Sequence, residues 1–209
     1  MQTHHGLKLA ILGRDGILNV FRNDHVKAPY EWIPIEGALE AVARLNQDGW
    51  HVVVATNQSG IGRGLVDMAS LNAVHQHMMQ LLLAKGGRVD AVFICPHVPE
   101  DHCTCRKPLP GLMQQIAARY GLDGLSSVPM VCDTVRDLQA AHAAGCEPHV
   151  VRTGRAAGLP DAEIATWTAG IPGARVHDSL SDFAHFVLHR DHKAQGVDGE
   201  DSAPLPMSR

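Results

Sequence analysis

Several absences narrow what this chain can be. No apolar run approaches the ~20 residues a helix needs to span a bilayer, so a helical membrane protein is excluded. Neither sign of charge dominates: 18 Lys and Arg against 22 Asp and Glu leave a formal charge of -4. That balance offers no footprint for nucleic acid or an anionic membrane. The N-terminus has no basic flank, apolar core and cleavage site of a secretory signal, and a cytoplasmic protein is expected. Five cysteines cannot all pair, and three of them, Cys95, Cys103 and Cys105, crowd into one short window. In a chain without a signal that favours metal over disulfides.

What is present reads as alternating strands and helices. Strands are expected at Leu7–Leu12, Trp50–Ala55, Ala91–Cys95, Pro129–Cys132 and His149–Arg152, with a short one around Val176. Helices are expected at Ile35–Asp48, Asp67–Ala84, Leu112–Tyr120, Val135–Ala144 and Asp182–His189. Gly49 reads as the residue closing the first helix, and Asp67 as the N-cap of the second. Leu71, Val74, Met78 and Leu82 form one apolar stripe of that second helix. Strands separated by helices predict an α/β fold, a Rossmann-like open parallel sheet with helices on both faces. One domain over 7–190 is expected, without internal repeats. From Asp191 to Arg209 the chain is polar and aperiodic and reads as a disordered tail.

Four polar clusters follow predicted strands. Thr56-Asn57-Gln58-Ser59-Gly60 offers hydroxyl and amide donors suited to an anionic oxygen, although from these residues alone a plain polar turn is the better reading. Cys95-Pro96-His97 and Cys103-Thr104-Cys105 supply four borderline-soft ligands, enough to close a tetrahedral structural zinc site in a loop spanning 95–105. With no open coordination position, such a zinc braces the loop and takes no part in catalysis. Arg106-Lys107-Pro108 follows directly, placing Lys107 where it can offset phosphoryl charge. Asp133 and Asp137, four residues apart after an apolar strand, suit Mg²⁺; alternatively Asp133 caps the next helix and Asp137 lies on its surface. His75 and His77 point to different helix faces and are read as solvated or packed.

In this order the clusters resemble the motifs of the haloacid dehalogenase (HAD) phosphatases. Gly13-Arg14-Asp15-Gly16-Ile17 is similar to their first motif, Asp-x-Asp-Gly-(Thr/Val). Within the superfamily the Arg-Asp-Gly-x-x-Asn and Thr-Asn-Gln-Ser-Gly-Ile-x-Arg-Gly stretches, the zinc loop and Arg-Lys-Pro resemble the D-glycero-D-manno-heptose-1,7-bisphosphate 7-phosphatases and the related histidinol-phosphate phosphatases. The resemblance implies a minimal cap made by the zinc loop and a soluble sugar phosphate as substrate, on the route to surface polysaccharide. It implies Thr56, Asn57 and Lys107 at the phosphate, and Arg63 and Arg106 toward the rest of the substrate. Mg²⁺ would be held by Asp133 and the Asp15 backbone carbonyl, with Asp137 a further candidate, and Asp15 would be the general acid/base.

Two positions depart from the pattern. The family nucleophile, the first Asp of the motif, is replaced by Gly13, and Cys132 stands where Gly is usual in the last motif, Gly-Asp-x-x-x-Asp. A glycine can neither attack phosphorus nor ligate Mg²⁺. Deleting a nucleophile elsewhere costs on the order of 10⁶ in turnover, so severe impairment is expected. Natural loss with retained binding, deliberate replacement or sequence error, and attack by another group or by water all remain open. A binding protein for a phosphorylated sugar or for a partner enzyme is the alternative to a crippled phosphatase.

Overall fold

The computed structural model describes residues 6–194. Six strands form one parallel sheet in the order β3-β2-β1-β4-β5-β6. They are β1 (Leu9–Leu12), β2 (His51–Asn57), β3 (Ala91–Cys95), β4 (Pro129–Cys132), β5 (Glu147–Val151) and β6 (Arg175–His177). The helices are α1 (Ala38–Gln47), α2 (Ser59–Gly62), α3 (Met68–Ala84), α4 (Gly111–Tyr120), α5 (Val135–Ala143), α6 (Asp161–Thr168) and α7 (Leu180–Ala194).

Alternation along β1 divides the core. Ala10 and Leu12 pack with α1, α3 and α7, whereas Leu9 and Ile11 pack with α4 and α5 on the opposite face. Both faces are therefore covered, which is why the central strands are apolar throughout. The α3 stripe is buried as expected, and the Asp67 carboxylate caps that helix by accepting from Ser70 N at 2.7 Å.

Some expectations need correction. The first helix starts at Ala38, because Gly37 takes φ +73° ahead of it. The fifth strand is shifted back to Glu147–Val151. Helix α6 was not foreseen: Ile164 is its only buried residue, so it carries no apolar stripe. The closing helix runs to Ala194, past the expected start of the tail. Its polar end is held by polar pairs: Arg190 meets Glu147 at 2.6 Å, His192 meets Asp48 at 2.8 Å, and Asp191 meets Lys8 at 3.5 Å. The remainder of the expected tail, 195–209, and the first five residues lie outside the described residues. No helix among the described residues is long and apolar enough to cross a membrane.

Candidate active site

From β1 the sheet grows one way through β2 and β3 and the other way through β4, β5 and β6. The carboxyl ends of β1 and β4 therefore flank a topological switch point, the usual place for a crevice in such sheets. A cavity there is lined by Gly13, Asp15, Thr56, Asn57, Arg106, Lys107, Asp133 and Asp137, all expected at a site from the sequence. Arg63 is not in that lining; it is exposed at the C-cap of the short α2.

Asp15 is the most heavily bonded group. Arg14 Nη2 donates to both carboxylate oxygens at 2.9 Å, and Asn19 and Gln58 each donate at 3.0 Å. Burial pushes the carboxyl up, but the Arg14 charge and these donors outweigh it and hold it below the ordinary carboxylate range. Arg14, 1% exposed, is steadied from behind by His75, whose Nε2 lies 3.1 Å from Nη1. Burial, with the Arg14 charge, brings His75 down to about 4. It is therefore neutral and accepts from Arg14. His75 is thus packed into the site's support, and His77 stacks edge-on against Trp32.

Gln58 Nε2 also donates to Thr56 Oγ1 at 2.9 Å. That uses the Thr56 oxygen as an acceptor and leaves its hydroxyl hydrogen to donate elsewhere. Asn57 is engaged with the Lys107 backbone in both directions at 3.2 Å, so it stitches the end of β2 to the loop before α4. Lys107, 4% exposed, donates from Nζ to Ala55 O at 2.9 Å and pairs with Asp137 Oδ1 at 2.7 Å. One of its three ammonium hydrogens is left over.

Asp133 does not cap α5. Thr134 does, accepting from Asp137 N at 3.1 Å, and Asp137 is buried rather than on the surface. Asp133 Oδ2 accepts from Arg155 N at 3.0 Å, and burial followed by the neighbouring Asp137 raises its carboxyl to about 7. Gly16 and Gly154, both at positive φ, pass so close to Asp133 that a Cβ on either would collide with its carboxylate. Cys132 is fully buried on β4, and burial holds its thiol well above its ordinary value, hence protonated.

The four zinc candidates converge. Cys95 Sγ lies 3.7 Å from Cys103 Sγ and 3.6 Å from His97 Nδ1, while Cys105 Sγ lies 3.6 Å from Cys103 Sγ and 3.3 Å from His97 Nδ1. Edges of a tetrahedron around zinc with Zn–S near 2.3 Å are about 3.8 Å for sulfur pairs, and somewhat shorter to nitrogen. All four ligand atoms lie within 4.8 Å of one another.

Arg14, Asn19, Gln58 and His75 were not foreseen as site residues. The first three stand inside the motifs already singled out, and that is the signal that could have found them.

Comparison with known proteins agrees. A HAD-hydrolase-like family model matches residues 104–183, and a polynucleotide kinase 3 phosphatase model matches residues 15–131. The chain is 53% identical over 183 residues to D-glycero-beta-D-manno-heptose-1,7-bisphosphate 7-phosphatase of Bordetella bronchiseptica, covering 87% of this chain and 98% of that one. It is 50% identical over 181 residues to the same-named protein of Pseudomonas aeruginosa, covering 86% and 97%. The crystal structure of the D,D-heptose 1,7-bisphosphate phosphatase from B. bronchiseptica, complexed with magnesium and phosphate, superposes with a TM-score of 0.81 at 49% identity, covering 88% of this chain and 99% of that one.

Proposed function

Because the chain belongs to the D-glycero-D-manno-heptose-1,7-bisphosphate 7-phosphatase family of the HAD superfamily, a family of sugar-bisphosphate phosphatases, we propose that its cavity binds such a bisphosphate and, with glycine at position 13, hydrolyses it very poorly. The beta anomer is the favoured substrate, since relatives named for it reach 53% identity while those named for the alpha anomer reach 32%. Residues 7–190 act as one unit, with the loop 95–105 in place of a large cap.

The donor set fits both metals. The Cys95, His97, Cys103 and Cys105 separations suit a closed zinc site, which would brace the loop carrying Arg106 and Lys107. Burial and Asp137 raise the Asp133 carboxyl, a neighbouring cation would favour its ionised form, and with the Asp15 backbone carbonyl it would hold Mg²⁺. The ion, when bound, draws charge from the phosphoryl oxygens. Asp137 is committed to Lys107 and counts as its partner.

The chain's own groups divide the remaining work. The spare hydrogens of Thr56 and Lys107 take the phosphoryl oxygens, and Asn57 acts chiefly as the brace that positions Lys107. Asp15 is held ionised by four donated hydrogen bonds. It is therefore ready to take a proton, and the negative charge of a bound phosphate raises its pKa toward one that can also give the proton to the leaving oxygen. Arg106 lines the cavity and is available to the rest of the substrate, whereas Arg63 stands outside that lining.

A retained binding site without turnover is the second reading, and one observation favours it. The position that a nucleophile's Cβ would take at Gly13 is crowded by the far end of the Ile17 side chain, whose Cδ1 lies 2.8 Å away.

Phosphate release from heptose 1,7-bisphosphate, measured with Mg²⁺ on the unsubstituted protein and on Gly13→Asp, tests the proposal. The unsubstituted protein is expected to be slower than Gly13→Asp, whose recovery is partial while Ile17 crowds the new side chain. Rapid release by the unsubstituted protein, at the rate of Gly13→Asp, would mean that another group or water attacks and that Gly13 is no handicap; no release from either would favour binding without turnover.

A further inference from the structure

The cavity carries more positive charge than one phosphoryl group requires. Its inner cations are already matched: Arg14 lies 2.9 Å from Asp15, and Lys107 lies 2.7 Å from Asp137. Arg22 is matched as well, at 2.9 Å from Asp24. Three further guanidiniums in the lining, those of Arg106, Arg136 and Arg155, have no carboxylate partner among the described residues. Arg106 is held by the His97 carbonyl at 3.1 Å.

Arg155 is held differently. Its guanidinium carbon lies 4.1 Å from the centroid of the Phe21 ring. An aromatic face positions a guanidinium without neutralising it, leaving its donors and full charge available. The same residue's backbone N–H donates to Asp133 at 3.0 Å, which fixes the turn after β5 against the inner site. Arg155 follows β5 and Arg106 follows β3, so these cations come from opposite sides of the ends of β1 and β4.

We infer that Arg155, seated on Phe21, is a specificity residue that recognises the second, non-transferred phosphate of a bisphosphate substrate. A planar guanidinium can meet two oxygens of one phosphate at once, and the charge left unmatched at the rim suits a second dianion rather than a neutral sugar. The assignment rests on the reading of the cavity as a phosphate site.

Calorimetric titration in Mg²⁺ buffer with two ligands, heptose 1,7-bisphosphate and heptose 7-phosphate, tests it. Arg155→Ala keeps the backbone N–H on Asp133, so the inner site is preserved. The variant is expected to bind the bisphosphate about tenfold or more weakly, as for a lost charge-assisted pair, and the 7-phosphate within about twofold of the unsubstituted protein. Phe21→Leu, which keeps apolar bulk but loses the aromatic face, should give a smaller loss of the same selectivity. Equal weakening for both ligands, or none for either, overturns the assignment. If the unsubstituted protein binds both ligands equally well, this assignment alone falls; if it binds neither, the phosphate-site reading falls with it.

Discussion

The Cδ1 methyl of Ile17 lies 2.8 Å from the point that a Cβ on Gly13 would occupy. Gly13 does not have positive φ, so its backbone accepts any L residue, and the obstacle is the far end of one flexible side chain. Ile17 itself is fully buried. It stands where the family motif carries Thr or Val, both of which lack that terminal methyl. The missing carboxylate and the enlarged neighbour are thus spatially complementary.

Reactivation should therefore need two changes. Gly13→Asp alone is expected to lose about 1–3 kcal/mol through overpacking and to recover activity only in part. Gly13→Asp with Ile17→Val should melt higher than the sum of the single effects allows and raise phosphate release by roughly 10³-fold or more over the unsubstituted protein. Asp15→Asn in that background should remove the gain. If the double variant is no faster than Gly13→Asp alone and no more stable, Ile17 adapts freely and the coupling is absent.

Much of this was legible from the chain. The central strands announce themselves because both faces are buried, and the Cys/His cluster that could hold a metal because its four members fall in one loop. The support around Asp15 was less so. That Arg14 meets His75, 61 positions away, follows from the packing of α3 against the end of β1, which no local pattern encodes. Likewise the last turns of α7 are fastened by Arg190–Glu147 and His192–Asp48 pairs, and apolar periodicity is blind to hydrogen-bond partners 43 and 144 residues distant.

The buried pair Lys107–Asp137 should be costly to break from one side only. Lys107→Met strands Asp137 beside Asp133 and is expected to destabilise the fold by about 3–5 kcal/mol, while abolishing the thermal shift given by a sugar bisphosphate. Lys107→Met with Asp137→Leu should recover most of the stability but none of the ligand response. Chemical denaturation and thermal shift separate the two effects. A double variant that still responds to bisphosphate would remove Lys107 from the phosphate site.

Zinc should co-purify at about one ion per chain. Cys103→Ser is expected to lower the content sharply and cost several kcal/mol, because the free energy of metal binding is also folding free energy. Elemental analysis of protein never exposed to chelator checks this. Absence of zinc there, with an unshifted melt for Cys103→Ser, would show that the four ligands are merely close.

Stability should fall on mild acidification, and a histidine pair is one cause. His149 Nδ1 lies 2.9 Å from His177 Nε2, so one ring donates to the other only while at least one of the two is neutral. Burial, with the facing His149 and Arg175, brings His177 down to about 4 against the pull of Asp182 and Asp178. Burial also lowers His149, although Glu147 opposes it. For a histidine with a depressed folded pKa, the unfolded chain takes up the proton first. The contribution is therefore complete above the unfolded value near 6.5 and is lost as pH falls through about 4. Glu147, held down to about 2 by His149 and Arg190, loses its contribution in a lower window, from about 4.5 toward 2. His177→Gln, which can still bond to His149 but does not titrate, should remove the higher window's share, about 1–2 kcal/mol once partial exposure is allowed for. Urea midpoints between pH 7 and 4 should then slope less for the variant than for the unsubstituted protein. Parallel slopes would mean that His177 titrates the same folded and unfolded, and that the acid sensitivity comes from elsewhere in the molecule.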